Sequence, residues 1–110
     1  MIFVTGPLFA GKEEYIKAAL KLTDEAFRAC AVRDVQALAA DADDLTALAD
    51  KLSAFRVVIA TEVGVGVVPT DEGQRRAREA AGRLACLLAQ RADTVVRVCC
   101  GLPQVLKGKL

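Results

Sequence analysis

Short runs of β-branched residues alternate with amphipathic segments along this chain. The run from Ile2 to Thr5 stops at a glycine, and the segment from Glu13 to Leu22 follows with apolar residues at helical spacing. This pattern predicts a strand, a loop and a helix. Residues 26–32 alternate well enough to predict a second strand, although their alanines also permit a helix.

The second half of the chain continues the alternation. Residues 41–55 carry leucines and alanines on one face behind a run of aspartates, which predicts a helix. Residues 56–60 form an apolar run that predicts a strand covered on both faces. Thr70 or Asp71 can cap a long helix that ends at about Arg91.

A strand and a short extension are predicted for the last part of the sequence. Residues 94–100 predict the last strand, and residues 101–110 predict a short irregular extension. Strands separated by helices are typical of a mostly parallel sheet, so we expect an α/β fold, a three-layer sandwich. A chain of 110 residues, 54% of them apolar, has the size of a single domain spanning residues 1–110.

Composition excludes several classes of function. The net charge of +1 indicates no nucleic-acid partner, and no apolar run reaches the length of a membrane span. The four cysteines form no C-x-x-C pair and the chain has no histidine, which argues against a zinc or thioredoxin-type site. We expect the cysteines to be small core residues of a reduced, cytoplasmic protein.

A phosphate loop is indicated near the start of the chain. Gly6 and Gly11-Lys12 have the G-x-x-x-x-G-K spacing and lie between a predicted strand and a predicted helix. There, backbone N–H groups cradle phosphate and the lysine reaches the outer phosphates. Glu13 occupies the position of the usual Ser or Thr, and its charge should weaken triphosphate binding. The alternative is an inherited turn that no longer binds nucleotide.

A second motif follows the central predicted strand. Residues 62–69 form a loop in which two glycines permit unusual backbone angles and Pro69 fixes the exit. Glu62 lies at the carboxyl end of a parallel strand, where ligands of open α/β sheets bind. Its alternative role is to fix the loop by hydrogen bonding.

The predicted helix after this loop is rich in arginine. Arg75, Arg76 and Arg83 can serve anionic groups, although a solvated face is the commoner role of such arginines. Gly82 costs a helix about 1 kcal/mol relative to alanine, so we expect close packing against another backbone there.

These motifs together resemble one family, the bifunctional adenosylcobinamide kinase/adenosylcobinamide-phosphate guanylyltransferases of cobalamin assembly. The matching segments are residues 1–12 and 57–108, which include the phosphate loop, the residue 62–69 loop and the terminal GLP and LKG sequences. The resemblance implies a P-loop NTPase-like fold, ATP or GTP with Mg²⁺ as cofactor, and a corrinoid substrate. It also implies catalytic roles for Lys12 and Glu62. In a working kinase, Glu13 or Glu62 would hold the Mg²⁺. Nucleotide would be bound by Gly6, Gly11, Lys12 and Glu13.

The chain also departs from the family pattern. Phe9 and Ala10 replace an arginine and a serine of the phosphate loop, and Thr61 replaces an asparagine. Guanylyl transfer in the family resembles a reaction through a histidine, and this chain has none. Three hypotheses follow: a shortened kinase-like member, a non-catalytic binding or assembly subunit, and an unrelated nucleotide switch. The high apolar fraction predicts a homo-oligomer.

Overall fold

The computed structural model describes residues 1–63 and 71–110 of the chain. Helices and strands alternate along these residues. In chain order they are β1 Ile2–Gly6, α1 Lys12–Leu20, α2 Asp24–Cys30, β2 Ala31–Val32, α3 Gln36–Ala39, α4 Leu45–Leu52, β3 Val57–Thr61, α5 Glu72–Arg91, β4 Thr94–Cys99 and β5 Leu102–Lys107.

The strands of the described residues form one sheet with the order β2-β3-β1-β4-β5. The contacts β2–β3, β3–β1 and β1–β4 are parallel, whereas β4–β5 is antiparallel. β1 is therefore central, and its Ile2 is paired with Val57 on one side and Thr94 on the other. The predicted mostly parallel sheet is confirmed.

Each face of the sheet packs against helices. On one face, Phe3 and Val58 lie in a buried cluster with Leu52 of α4 and Leu84 and Leu88 of α5. The opposite face buries a second cluster, whose members are Val4, Ile16, Phe27, Val57, Ile59, Val96 and Val98. Because alternate strand residues point to opposite faces, β1 contributes to both clusters and the three-layer sandwich is confirmed.

The prediction of a strand over residues 26–32 is mostly wrong. Residues 24–30 form α2, which begins after Thr23, whose hydroxyl oxygen accepts a hydrogen bond of 3.1 Å from the Ala26 N–H. Phe27 is the buried residue of this helix and packs in the second cluster. The Thr23 cap and the helix-forming alanines outweigh the alternation, and only Ala31 and Val32 remain as strand.

The helix predicted over residues 41–55 is real but shorter. Asp44 caps α4, with its Oδ1 accepting hydrogen bonds from the N–H groups of Thr46 and Ala47 at 3.0 and 3.2 Å. The helix spans Leu45–Leu52, so the preceding aspartates lie outside it. α3, four residues long, precedes them and was not predicted.

The tail was predicted wrongly as an irregular extension. Residues 102–107 form β5, and Cys99 is paired with Leu102 across a two-residue turn. Cys100 and Gly101 both have positive φ, 54° and 74°, as a type I′ hairpin turn requires. The turn fits the right-handed twist of the strands, which is why the chain reverses immediately after β4.

The expectation that the cysteines are core residues is wrong. Cys86 and Cys100 are exposed, while Cys30 and Cys99 are half-buried. Within residues 1–63 and 71–110, no helix combines the length and apolarity needed to cross a bilayer.

Candidate functional site

The phosphate loop closes between two glycines whose backbone angles suit only glycine. Gly6 ends β1 with φ 149°, and Gly11 precedes α1 with φ 85°. A β-carbon at Gly6 would overlap the carbonyl oxygen of Val98. The Gly101 N–H donates a 2.8 Å hydrogen bond to the Ala10 carbonyl, which ties the loop to the β4–β5 turn.

Lys12 turns its side chain back into this loop. It is the first residue of α1 and 8% exposed. Its Nζ donates hydrogen bonds to the carbonyl oxygens of Pro7 at 2.7 Å and Gly6 at 3.3 Å. Burial lowers the pKa of the Lys12 amine, and the nearby carboxylates of Asp34, Glu62 and Glu14 oppose this effect. A phosphate entering the loop would take over from the carbonyls as the partner of this amine.

A cleft of about 470 Å³ opens in front of the loop. Its loop side includes Phe9, Gly11 and Lys12, and its other side includes Asp34 and Thr61. The residues at this second side follow β2 or end β3, so the cleft lies at the carboxyl edge of the parallel strands. Ligands of open α/β sheets bind at this edge.

Glu13 lines the cleft and is paired with an arginine. Arg33 Nη1 lies 2.7 Å from Glu13 Oε1. This hydrogen bond and the charge of Glu13 raise the pKa of Arg33. The carboxylate that replaces the usual hydroxyl of the phosphate loop is therefore neutralised by a residue that follows β2.

Glu62 is held more tightly still. Arg97 of β4 makes a two-pronged contact, with Nε 2.6 Å from Glu62 Oε1 and Nη2 3.0 Å from Oε2. Glu62 raises the pKa of Arg97 through this hydrogen bonding and its charge. The Glu62 N–H also donates to the Gly6 carbonyl at 2.9 Å. The loop, the end of β3 and β4 are thereby connected, and Glu62 lies beside the phosphate loop at the carboxyl end of β3.

The described side chains of this region do not form a preorganised binding site for a divalent metal. Among residues 1–63 and 71–110, no group of three or more Asp, Glu, Cys or His side chains is arranged to hold a metal ion. Glu13 and Glu62 each bind an arginine instead. Either carboxylate would have to exchange or share its arginine before it could bind Mg²⁺, so their role as metal ligands stays a prediction.

Three charged residues of this region were missed by sequence reasoning. Arg33 and Asp34 follow the two-residue β2, which was hidden inside a mispredicted strand. Arg97 is a charged residue within the apolar strand β4, flanked by Val96 and Val98. A charge in such a strand was the one available signal, because it demands a partner.

Helix α5 carries less of the site than expected. Asp71 caps it, with Oδ1 accepting a 2.7 Å hydrogen bond from the Gly73 N–H. Arg76 pairs with Glu72 at 3.0 Å on an exposed face. Arg83 lines a separate, larger groove of about 780 Å³ that also includes Leu45 of α4.

The described residues leave open space at Gly82. A β-carbon there would meet no heavy atom of residues 1–63 and 71–110 within 4 Å, so these residues give no support to the prediction of close backbone packing. The glycines and Pro69 of the residue 62–69 loop lie in residues 64–70, outside the described residues. Their predicted role in shaping the loop stays a prediction.

Comparison with known proteins identifies relatives in cobalamin assembly. Residues 15–106 match the family described as cobinamide kinase / cobinamide phosphate guanyltransferase. The bifunctional adenosylcobalamin biosynthesis protein CobP of Pseudomonas aeruginosa is 34% identical over 76 residues, which are 69% of this chain and 44% of that relative. The match thus spans less than half of the relative's length, and the family match begins after Lys12.

The family match covers most of the chain and includes β2 to β4, and the resemblance of the sequence to this family is confirmed. The parallel sheet, the helices on both faces and the loop at the end of β1 agree with the P-loop NTPase-like fold expected of such a protein. The chain belongs to the cobinamide kinase / cobinamide phosphate guanyltransferase family.

Proposed function

We propose that this chain is a kinase-like member of its family that binds ATP or GTP at the modified phosphate loop and serves cobalamin biosynthesis or corrinoid salvage. The observation that carries the proposal is the position of Lys12. Its amine is buried in the loop between Gly6 and Gly11 and faces a cleft at the carboxyl edge of the sheet. Few structural reasons exist for burying a lysine against its own backbone, whereas phosphate binding requires a cation there.

In this proposal Lys12 has the catalytic role of neutralising the transferred phosphoryl group. The acceptor hydroxyl attacks the terminal phosphorus, the bond to the bridging oxygen breaks, and the nucleoside diphosphate leaves. Gly6 and Gly11 allow the backbone to approach the phosphates closely. Glu62, held beside the loop by Arg97, lines a neighbouring cavity of about 230 Å³ that shares Thr61 with the cleft, and in this proposal it orients groups that reach that cavity.

Magnesium enters the proposal with the nucleotide. The titratable side chains that line the cleft are Lys12, Glu13, Glu14, Arg33 and Asp34, and acidic residues outnumber basic ones. A metal-free triphosphate would meet repulsion from this set, whereas a nucleotide that already carries Mg²⁺ presents less negative charge. We therefore expect nucleotide binding to depend on the metal.

A non-catalytic binding or assembly subunit is the second candidate. The observation that favours it is that Glu13 replaces the metal-binding hydroxyl of the phosphate loop and is itself occupied by Arg33. Calorimetric titration with ATP and GTP, with and without Mg²⁺, separates the two candidates. Saturable heat with a nucleotide that is lost in Lys12→Ala supports the kinase-like function, and the absence of heat with both nucleotides replaces it by the non-catalytic one.

Guanylyl transfer is not part of the proposed function. The chain has no histidine, so it offers no imidazole to carry the nucleotide. Incubation with GTP should leave no acid-labile adduct. Intact-mass spectrometry that detects one added guanylyl group would contradict this expectation.

We further propose that the protein is cytoplasmic, folds as one domain and forms a homo-oligomer. The support for self-association is β5, whose outer edge pairs with no strand of residues 1–63 and 71–110 and which exposes Leu102, Val105 and Leu106 by 70%, 47% and 56%. Light scattering that gives the monomer mass over a wide concentration range would refute this oligomer.

A further inference from the structure

Two large apolar side chains stand on the rim of the phosphate loop. Phe9 is 94% exposed and Leu8 is 64% exposed. Phe9 also has a φ of 59°, in the left-handed region that bulky residues avoid. The loop therefore presents an aromatic ring to solvent from a strained backbone position.

Neither property is explained by folding. An exposed ring gains little from burial, and a left-handed conformation costs free energy for any residue with a β-carbon. Glycine or asparagine would be the expected residue at such a position. Strained residues concentrate at sites that contact ligands, so the ring has a use outside the fold.

The position of the ring identifies the ligand that it can reach. Leu8 and Phe9 line the same cleft as Lys12. If Lys12 holds the terminal phosphate, the phosphoryl acceptor has to enter the cleft at the loop and bring its hydroxyl to that phosphate. An acceptor with an apolar face would cover Leu8 and Phe9 as it enters.

We propose that Phe9, supported by Leu8, is a specificity-determining residue that contacts the apolar face of a corrinoid acceptor. This inference rests on the proposed function, which places the reacting phosphate at Lys12. The family acts on cobinamide, whose macrocycle is broad and flat, and an aromatic ring gains from stacking on such a surface. The arginine of the family pattern is replaced by Phe9 in this chain, so the contact belongs to this chain in particular.

The test is a titration of the full chain with cobinamide, followed by the visible absorbance of the corrinoid. Phe9→Ala should weaken cobinamide binding about tenfold, the scale of one lost aromatic stacking contact, while Phe9→Tyr should retain it. Phe55, 40% exposed and located after α4, supplies the matched control. Phe55→Ala should leave the affinity unchanged.

A stability measurement separates ligand contact from structural damage. Phe9→Gly removes the strain at positive φ, so this variant should unfold at a temperature no lower than that of the wild type. Its cobinamide affinity should nevertheless fall as far as that of Phe9→Ala. A loss of affinity that merely follows a loss of stability would overturn the proposal.

The other possible outcomes of the titration also support or overturn the role of Phe9. Unchanged cobinamide affinity in Phe9→Ala, or no binding of cobinamide by the wild type, overturns the inference even where ATP or GTP binds. Weakened nucleotide binding alone would assign the ring to the nucleobase, and dissociation of an oligomer would assign it to a second copy; both overturn it. Cobinamide binding through Phe9 without nucleotide binding would support the contact and reject the kinase-like function.

Discussion

The carbonyl group of Val98 lies directly against Gly6 and occupies the space that a β-carbon on Gly6 would need. This contact joins the last residue of β1 to β4, at the point where the phosphate loop begins. The absence of a side chain at Gly6 is therefore required by the fold, independently of any bound phosphate.

Replacing Gly6 by alanine should destabilise the protein by about 2 kcal/mol or more, because strain at positive φ adds to overlap with backbone. Urea denaturation of the wild type and Gly6→Ala measures this difference. A change smaller than the error of the measurement would mean that β1 and β4 separate without cost.

Gly82→Ala provides the opposite case. No described atom lies near the position of its β-carbon, and Gly82 is inside α5. The variant should be more stable by about 1 kcal/mol, the difference in helix propensity. The same denaturation experiment checks it, and destabilisation would show that something occupies the open space in solution.

The Glu62–Arg97 contact should stabilise the protein more than an exposed ion pair does. In this two-pronged contact Glu62 directly follows β3 and Arg97 lies within β4, whereas Arg76 and Glu72 pair on an open helix face. Double-mutant cycles with Glu62→Gln and Arg97→Met, and with Glu72→Gln and Arg76→Met, measure the two coupling energies. Equal couplings would contradict the expectation.

The burial of Lys12 predicts a pH dependence of stability. The folded state lowers the pKa of the amine below its ordinary value of 10.5, so the unfolded chain binds more protons between the two values. The free energy of unfolding should therefore gain a contribution that rises with pH in this alkaline window. Below the lowered pKa, both states are charged and the cost of burial is constant.

Comparison with Lys12→Met isolates this contribution from the other titrating groups. The stability of the wild type relative to Lys12→Met should increase as the pH approaches 10.5 from below. A difference that stays flat over this range would mean that Lys12 is not desolvated in solution.

Glu13→Ser should strengthen the binding of magnesium nucleotide, because it removes a negative charge from the cleft and restores a metal-binding hydroxyl. The substitution also frees Arg33, now paired with Glu13, to contact phosphate. Calorimetry checks the change, with Lys12→Ala as the variant expected to lose affinity. If neither variant alters binding, the loop is a structural remnant.

The sequence predicted the strands next to the site better than the elements around them. Glycines, β-branched runs and Asp71 mark β1, β3, β4 and α5 locally, so their positions could be read from the pattern. By contrast, residues 24–30 carry an alternating pattern as well as helix-forming alanines, and the Thr23 cap together with the burial of Phe27 favours the helix. β5 depends on a turn with Cys100 at positive φ, which residue preferences disfavour.

The candidate site shows the same division. Gly6, Gly11 and Lys12 are recognisable from spacing because the loop is continuous in sequence. Arg33, which pairs with Glu13, follows β2, and Arg97, which pairs with Glu62, lies in β4. Each arginine is far from its carboxylate along the chain. Such pairings depend on the order of strands in the sheet, which a single sequence does not specify.

The order of strands has a consequence for how the protein is made. β1 is synthesised before the other described strands, yet it lies in the middle of the sheet between β3 and β4. Until β4 has been made, one edge of β1 is an apolar template open to other chains. A fragment of this chain that ends before Thr94 should therefore aggregate more readily than the chain that includes β4.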